Sequence, residues 1–311
     1  MTTSSESTGL ILVTGASTGM GAATARELAA RGYHVLAGVR REIDGRDLES
    51  ANIRPVILDI TRSEQIAAVA ELIEADGRPL RAVINNAGIA VNAPVEVLPI
   101  EDWRRQFDVN LFGHIEVAQA VLPALFKSQG RIVMISSIGG RVAQPTYGAY
   151  SGSKYALEAA SDALRRELAP HGVKVVIVEP GAVRTEMVGR GGVTARDLAS
   201  GMTAEQDPRY GGLMQAILAQ SEGFLRSGVD AAQAARTIAT AATAARPKTR
   251  YTIGRDAALL IGLARILPDR VLDRALSSAL RPLFPKTHPD TQRTPTPGLS
   301  GVHTTKRETK S

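Results

Sequence analysis

The stretch "LILVTGASTGMG", Leu10 to Gly21, decides the fold. A short apolar run passes straight into a glycine loop, as a strand buried on both faces does. "GAATARELAARG", from Gly21, then repeats apolar residues at helical spacing and stops at Gly32. Strand, glycine loop and helix in that order form a cradle for a pyrophosphate. The loop lets the backbone come close, and the amides and positive end of the helix receive the anion. The glycines are spaced G-x-x-x-G-x-G (Gly15, Gly19, Gly21), one residue longer than the usual dinucleotide fingerprint. Nucleotide binding is therefore expected at Thr14, Gly15, Ser17, Thr18, Gly19, Met20 and Gly21.

Outward from that loop the alternation continues. "HVLAGV" at 34–39 reads as a second strand, "RPVILD" ending at Asp59 as a third, and "AVINNAG" from Ala82 as a fourth. "GRIVMISS" to Ser137 is a fifth, "VKVVIVEPG" to Gly181 a sixth, and "RYTIG" (250–254) a seventh. Helical segments such as "SEQIAAVAELIEA" and "LFGHIEVAQAVLPALFK" separate them. Continuous apolar strands alternating with helices predict an α/β fold: a Rossmann-type, doubly wound parallel sheet with helices on both faces. One catalytic domain is expected over 10–285. Within it, 186–229 reads as a lid over a pocket, being a long non-strand excursion, and 256–281 as a helical extension. Residues 1–9 and 286–311 read as disordered, the latter because Pro, Thr and charge replace the apolar pattern.

Composition narrows the function. Of 311 residues, 44% are hydrophobic and 22% charged, the balance of a soluble globular protein. The net charge of +6 does not mark a nucleic-acid protein, since segment 286–311 holds five cations against two acids. Aromatics are few and no basic stripe stands out, so no nucleic-acid partner is expected. The chain has no cysteine, which excludes disulfides, a thiol nucleophile and a thiolate metal site. "MTTSSESTG" lacks the apolar core of a signal peptide, and "AALLIGLA" from Ala257 is too short to span a bilayer. A cytoplasmic protein without metal or membrane contact is expected.

The end of the second strand selects between nicotinamide cofactors. An acid there grips a ribose 2′-hydroxyl, whereas arginine accommodates a 2′-phosphate. Here the chain reads "AGVRRE", with Arg40 and Arg41 after Val39. NADP(H) is expected, with NAD(H) possible. Asp59, followed by Ile60, is placed either to accept from an adenine amino group or to cap the next helix.

The chemistry is carried by "PTYGAYSGSKYAL", 145–157. Tyr150 and Lys154 stand four apart and share one helix face. A phenol is a poor base at neutral pH, with pKa about 10 in water, and a nearby ammonium is expected to lower that value. Tyr150 then exchanges a proton with an alcohol or carbonyl as hydride moves to or from the nicotinamide. Ser137, at the end of the fifth strand, is expected to hold the substrate oxygen. Asn110, in "FDVNLFG", is expected to help order water behind the lysine through its amide.

These motifs resemble the short-chain dehydrogenase/reductase family in its single-domain form, over about residues 9–255. They are Thr14-Gly15-x-x-x-Gly19-x-Gly21, Asp59, Asn85-Asn86-Ala87-Gly88, Asn110, Ser137, Tyr150-x-x-x-Lys154 and Pro180-Gly181-x-x-x-Thr185. The resemblance implies Asn110, Ser137, Tyr150 and Lys154 as a catalytic tetrad, with Lys154 also holding the nicotinamide ribose. It implies that Asn86, Ala87 and Gly88 line the cofactor cleft, with Pro180, Gly181 and Val183 beside them. Thr185 would contact the carboxamide. The tyrosine–lysine spacing disfavours the family's enoyl reductases, and the glycine spacing its sugar-nucleotide epimerases. A homodimer or homotetramer is also implied.

The substrate is read as a lipophilic alcohol or ketone: steroid-, retinoid- or acyl-like, as in the steroid- and retinol-dehydrogenase-like branch. Apolar lid residues such as Met187, Leu198, Met202, Ile217 and Phe224 would line its pocket, with Tyr147 leaning in. Arg184, Arg190 and Arg209 leave room for a carboxylate substrate, hence for an NAD-dependent enzyme of small hydroxy acids. The sequence also leaves room for a non-catalytic NADP(H) sensor and for an interfacial helix over 256–281.

Overall fold

The computed structural model describes residues 9–285, so the readings at 1–8 and 286–311 lie outside the described residues. Seven strands form one sheet: β1 (Leu10–Val13), β2 (His34–Val39), β3 (Ile53–Ile57), β4 (Leu80–Asn85), β5 (Arg131–Ile135), β6 (Lys174–Pro180) and β7 (Arg250–Ile253). Their order is β3-β2-β1-β4-β5-β6-β7, and every pairing is parallel. Chain order reverses between β1 and β4, and ligands of such sheets bind beyond the strand ends at that point.

Among the described residues, ten α-helices accompany them: α1 (Gly19–Ala30), α2 (Ser63–Asp76), α3 (Ile100–Phe107), α4 (Gly113–Ser128), α5 (Gly148–Leu168), α6 (Glu186–Ser200), α7 (Asp207–Ser227), α8 (Ala231–Thr243), α9 (Arg255–Ile266) and α10 (Asp269–Leu280). The period of two along β1 explains the layers. Ile11 and Val13 join a core with Ala25, Leu28, Ala234 and Ile238, under α1 and α8. Leu10 and Leu12 point the other way, to Ile66, Val117, Leu125 and Leu157 under α2, α4 and α5. Both faces are therefore buried, which is why β1 carries no polar residue.

A single turn of π-helix, Asp108–Phe112, joins α3 to α4. The continuous run Ile100–Ser128 is long and apolar enough to cross a membrane by length and composition alone. Its Val117, Val121 and Leu125 are buried in the second core, so it also fits the description of a soluble protein's core helix. The expected lid region consists of α6 and α7, whose Ala195 and Met214 pack with Val91, Leu98 and Ala149 in a third cluster.

Candidate active site

The glycine loop has the geometry its sequence predicts. Gly15 and Gly19 take φ of +62° and +57°, the left-handed region that glycine enters without strain. Thr18 caps α1 without a side-chain hydrogen bond, and the first turn holds no acid, so no side chain claims the positive end of the helix. Ser17, Thr18, Gly19 and Met20 are half-buried at the loop's rim. These features fit a bound phosphate.

Thr14 acts differently from the expectation. It is fully buried, and its hydroxyl accepts from the amides of Asn86 (2.9 Å) and Ala87 (3.0 Å). The Asn86 Nδ2 returns hydrogen bonds to the carbonyls of Thr14 (2.9 Å) and Gly15 (3.1 Å). Thr14 therefore ties the loop after β1 to the loop after β4 and lies beneath the cofactor surface.

At the end of β2, Arg40 and Arg41 are both exposed, but they are not equivalent. Arg41 grips Asp44 with Nε at 2.9 Å and Nη2 at 2.6 Å. That acid lies in a short turn (Glu42–Gly45), and the arginine draws its carboxyl below the usual range. Arg40 carries no such ion pair among the described residues. Asp59 Oδ1 accepts from Thr61 N (3.0 Å) and Oγ1 (2.8 Å), which is the role at the entry to the next helix. Ile60 is buried in the second core.

One cavity of about 420 Å³ joins cofactor and substrate regions. Asn86, Gly88, Pro180, Gly181, Val183 and Thr185 line one end. Ser137, Tyr147, Tyr150, Lys154 and Met187 line the rest. Tyr147 stands edge to face against Tyr150, ring centroids 6.2 Å apart. Of the apolar lid residues, Met187, Ile217 and Phe224 reach the cavity, whereas Leu198, Met202 and Met214 pack in the third core.

The structure corrects two readings of the sequence. Burial pushes the Tyr150 phenol up, with the Ser137 hydroxyl drawing it partly back, so its net shift is opposite to the expected one. Lys154 Nζ, itself buried, donates to the Ile135 carbonyl at 2.8 Å. Burial lowers Lys154 to about 8. The Asn110 amide is likewise committed elsewhere. Its Oδ1 accepts from Ile89 N (2.9 Å), and its Nδ2 donates to Ile89 O (2.9 Å) and Ser153 Oγ (3.1 Å). It braces the loop after β4 against α5 and has no donor left for a water behind the lysine.

Sequence reasoning also missed a wall. Leu260 of α9 and Leu276, Ala279 and Leu280 of α10 also line the cavity. Their signal was an amphipathic pattern that any packed helix shows. The three arginines considered for a carboxylate substrate are paired at the surface: Arg184 with Asp230 (3.0 Å), Arg190 with Glu186, and Arg209 with Glu96 (3.0 Å). None of them lines the cavity.

Such a sheet, loop and Tyr–Lys pair define a nucleotide-binding oxidoreductase of the Rossmann class. A family model described as short chain dehydrogenase matches residues 9–192, and the chain belongs to that family. It is 32% identical over 282 residues to an NADPH-dependent 3-dehydrocapnine reductase of Ornithobacterium rhinotracheale, covering 88% of this chain and 97% of that one. It is 37% identical over 281 residues to a 17-beta-hydroxysteroid dehydrogenase type 6 of Bos taurus, covering 86% and 87%. Among solved structures, a short-chain dehydrogenase from Burkholderia cenocepacia in complex with NADP superposes with TM-score 0.67 at 28% identity, covering 88% and 97%.

Proposed function

We propose that the chain is an NADP(H)-dependent enzyme that interconverts a ketone and a secondary alcohol, or an aldehyde and a primary alcohol, on a lipophilic small molecule. The observation that carries this reading is one cavity lined both by Ser137, Tyr150 and Lys154 and by apolar residues of the helices Glu186–Ser200, Asp207–Ser227, Arg255–Ile266 and Asp269–Leu280. When bound, NADPH supplies the hydride that the carbonyl carbon receives. Ser137 donates a hydrogen bond to the carbonyl oxygen, and Tyr150 transfers its phenolic proton to that oxygen. The raised phenol suits this direction, because it stays protonated at neutral pH. Lys154 holds a positive charge below the phenol, which eases formation of the phenolate left behind. A proton from solvent then restores Tyr150.

The substrate in this reading is steroid-, retinoid- or acyl-like, supported by the apolar lining of the cavity and by the relatives named as a 17-beta-hydroxysteroid dehydrogenase and a retinol dehydrogenase. The surface pairing of Arg184, Arg190 and Arg209 speaks against the small hydroxy acid. A homo-oligomer in a reducing, cytoplasmic compartment is part of the proposal, supported by exposed Phe112, Phe126 and Tyr155 and by the absence of cysteine. The test is NADPH consumption by purified protein with long-chain, steroid and retinoid carbonyls, against small 2-oxo acids. Turnover of the lipophilic set is expected; NADH-driven reduction of the 2-oxo acids alone would replace this reading with that of a hydroxy-acid dehydrogenase.

A further inference from the structure

Behind Lys154 lies a buried charge cluster that the proposed reaction does not use. Tyr150, Lys154, Glu158 and Asp162 follow one another at intervals of four along one face of α5. Lys154 and Glu158 are 4% and 5% exposed. Glu158 Oε2 accepts from Arg250 Nη2 at 3.0 Å and Nε at 3.3 Å, and Arg141 Nη1 stands 3.7 Å away. Burial pushes the Glu158 carboxyl up, while the nearby Ser136 hydroxyl and Arg250 draw it back down. Ser136 also lines the cavity, and both groups press on Gly140 so closely that an added Cβ would meet them at 2.7 and 3.1 Å. The carboxylate thus sits one helical turn behind the lysine and one residue's thickness from the cavity.

The other titratable and charged groups packed here do not supply a counter-charge. His114 of α4 is neutral, pushed down to about 3 by burial and then by Lys154. Arg141 and Arg250 carry the same sign as the amine. Glu179 is held by the same two arginines, Arg250 Nε at 3.3 Å and Arg141 Nε at 3.9 Å, and by Thr252 Oγ1 at 3.1 Å, but it stands on β6 and not one turn along α5 from the lysine. Asp162 is shared between Arg250 and Arg165, each at 3.0 Å, at the outer end of the row.

We propose that Glu158 is a positioning residue for the reaction: clamped from behind by Arg250 and Arg141, it supplies the negative charge that keeps the buried Lys154 amine an ammonium beneath Tyr150. Burial lowers the amine to about 8, and Glu158 opposes that fall. The link to catalysis rests on the function proposed above, whereas the electrostatic link does not.

The two are separated by titrating lysine side chains directly. The full chain is labelled with ¹³C-lysine, and the Lys154 Cε signal is assigned by its absence in Lys154→Met. In the wild type the midpoint is expected near 8. Glu158→Gln keeps the shape and removes the charge, and is expected to lower the midpoint by about one pH unit or more. Glu158→Asp restores most of that drop. Asp162→Asn breaks an Arg250 contact of the same cluster and leaves the midpoint in place. Arg141→Gln, a half-exposed and milder change, raises it. The alkaline limb of kcat/KM for NADPH-dependent reduction shifts with the midpoint in each variant. A midpoint in Glu158→Gln equal to the wild type, with only the melting temperature reduced, overturns the proposal; if that variant does not fold, an unmoved midpoint in Arg141→Gln does so. Midpoints that move as stated, in a protein that reduces no carbonyl compound, uphold the electrostatic role and remove the oxidoreductase reading instead.

Discussion

Tyr147 and Tyr150 meet edge to face at 6.2 Å, with their ring planes 76° apart. Tyr147 sits at the entry to α5, where burial raises its phenol and nearby Ser221 of α7 draws it partly back. The pair thus connects the helical cover to the proposed proton donor. An edge-to-face contact is worth about 1 kcal/mol, so Tyr147→Ala is expected to lower kcat by about fivefold to tenfold. The Kd for NADPH, measured by calorimetry, stays unchanged.

Arg40 and Arg41 differ in what they have left to offer. A charge-assisted hydrogen bond contributes about 1.5–3 kcal/mol, so Arg40→Ala should weaken NADPH binding by about tenfold to a hundredfold and leave NADH binding alone. Arg41→Ala should change NADPH affinity by less than about threefold, because its guanidinium already serves Asp44. Calorimetric titration of both variants with both cofactors checks the contrast.

The sheet was legible in the sequence because its inner strands, β1, β2, β5 and β6, are buried almost throughout and so read as near-continuous apolar runs, whereas the edge strands β3 and β7 carry exposed or half-buried residues such as Arg54 and Tyr251. The glycine loop and the Tyr150–Lys154 spacing were legible for a related reason: each is a local geometry in which neighbours in sequence are neighbours in space. The far wall of the cavity was not. Leu260 and Leu276 come beside Tyr150 only when the chain closes over the last strand, and an inward leucine in a lid helix looks like any other. The fate of Lys154 was equally hidden, since its partner is the backbone carbonyl of Ile135 on another element. The Arg41–Asp44 pair hid in plain view, three residues apart, because a short turn rather than an extended strand end joins them.

His114 makes stability depend on acid. Its imidazole is fully buried, Nε2 lies 2.8 Å from the Ala87 carbonyl, and Nδ1 has no partner. Its folded value, about 3, lies below the ordinary 6.5, so the unfolded chain takes up the proton first. The stabilisation is complete above 6.5 and is lost as pH falls towards 3. Between pH 6.5 and about pH 5 the loss is about 2 kcal/mol. Denaturant unfolding at both pH values should show that this part of the slope disappears in His114→Gln.

The α10 wall predicts a steric effect on substrate alone. Ala279→Trp places an indole in the cavity that Tyr150 also lines. It should raise KM for long or polycyclic carbonyls by about tenfold or more, while the Kd for NADPH remains that of the wild type.

The most direct test is a single turnover of enzyme-bound NADPH with a lipophilic ketone, comparing wild type and Tyr150→Phe. Removing the phenolic proton while keeping the ring should slow hydride loss from NADPH by at least about a hundredfold, with cofactor affinity unchanged. A Tyr150→Phe rate equal to that of the wild type would contradict Tyr150 as the proton donor and with it the mechanism proposed for this cavity.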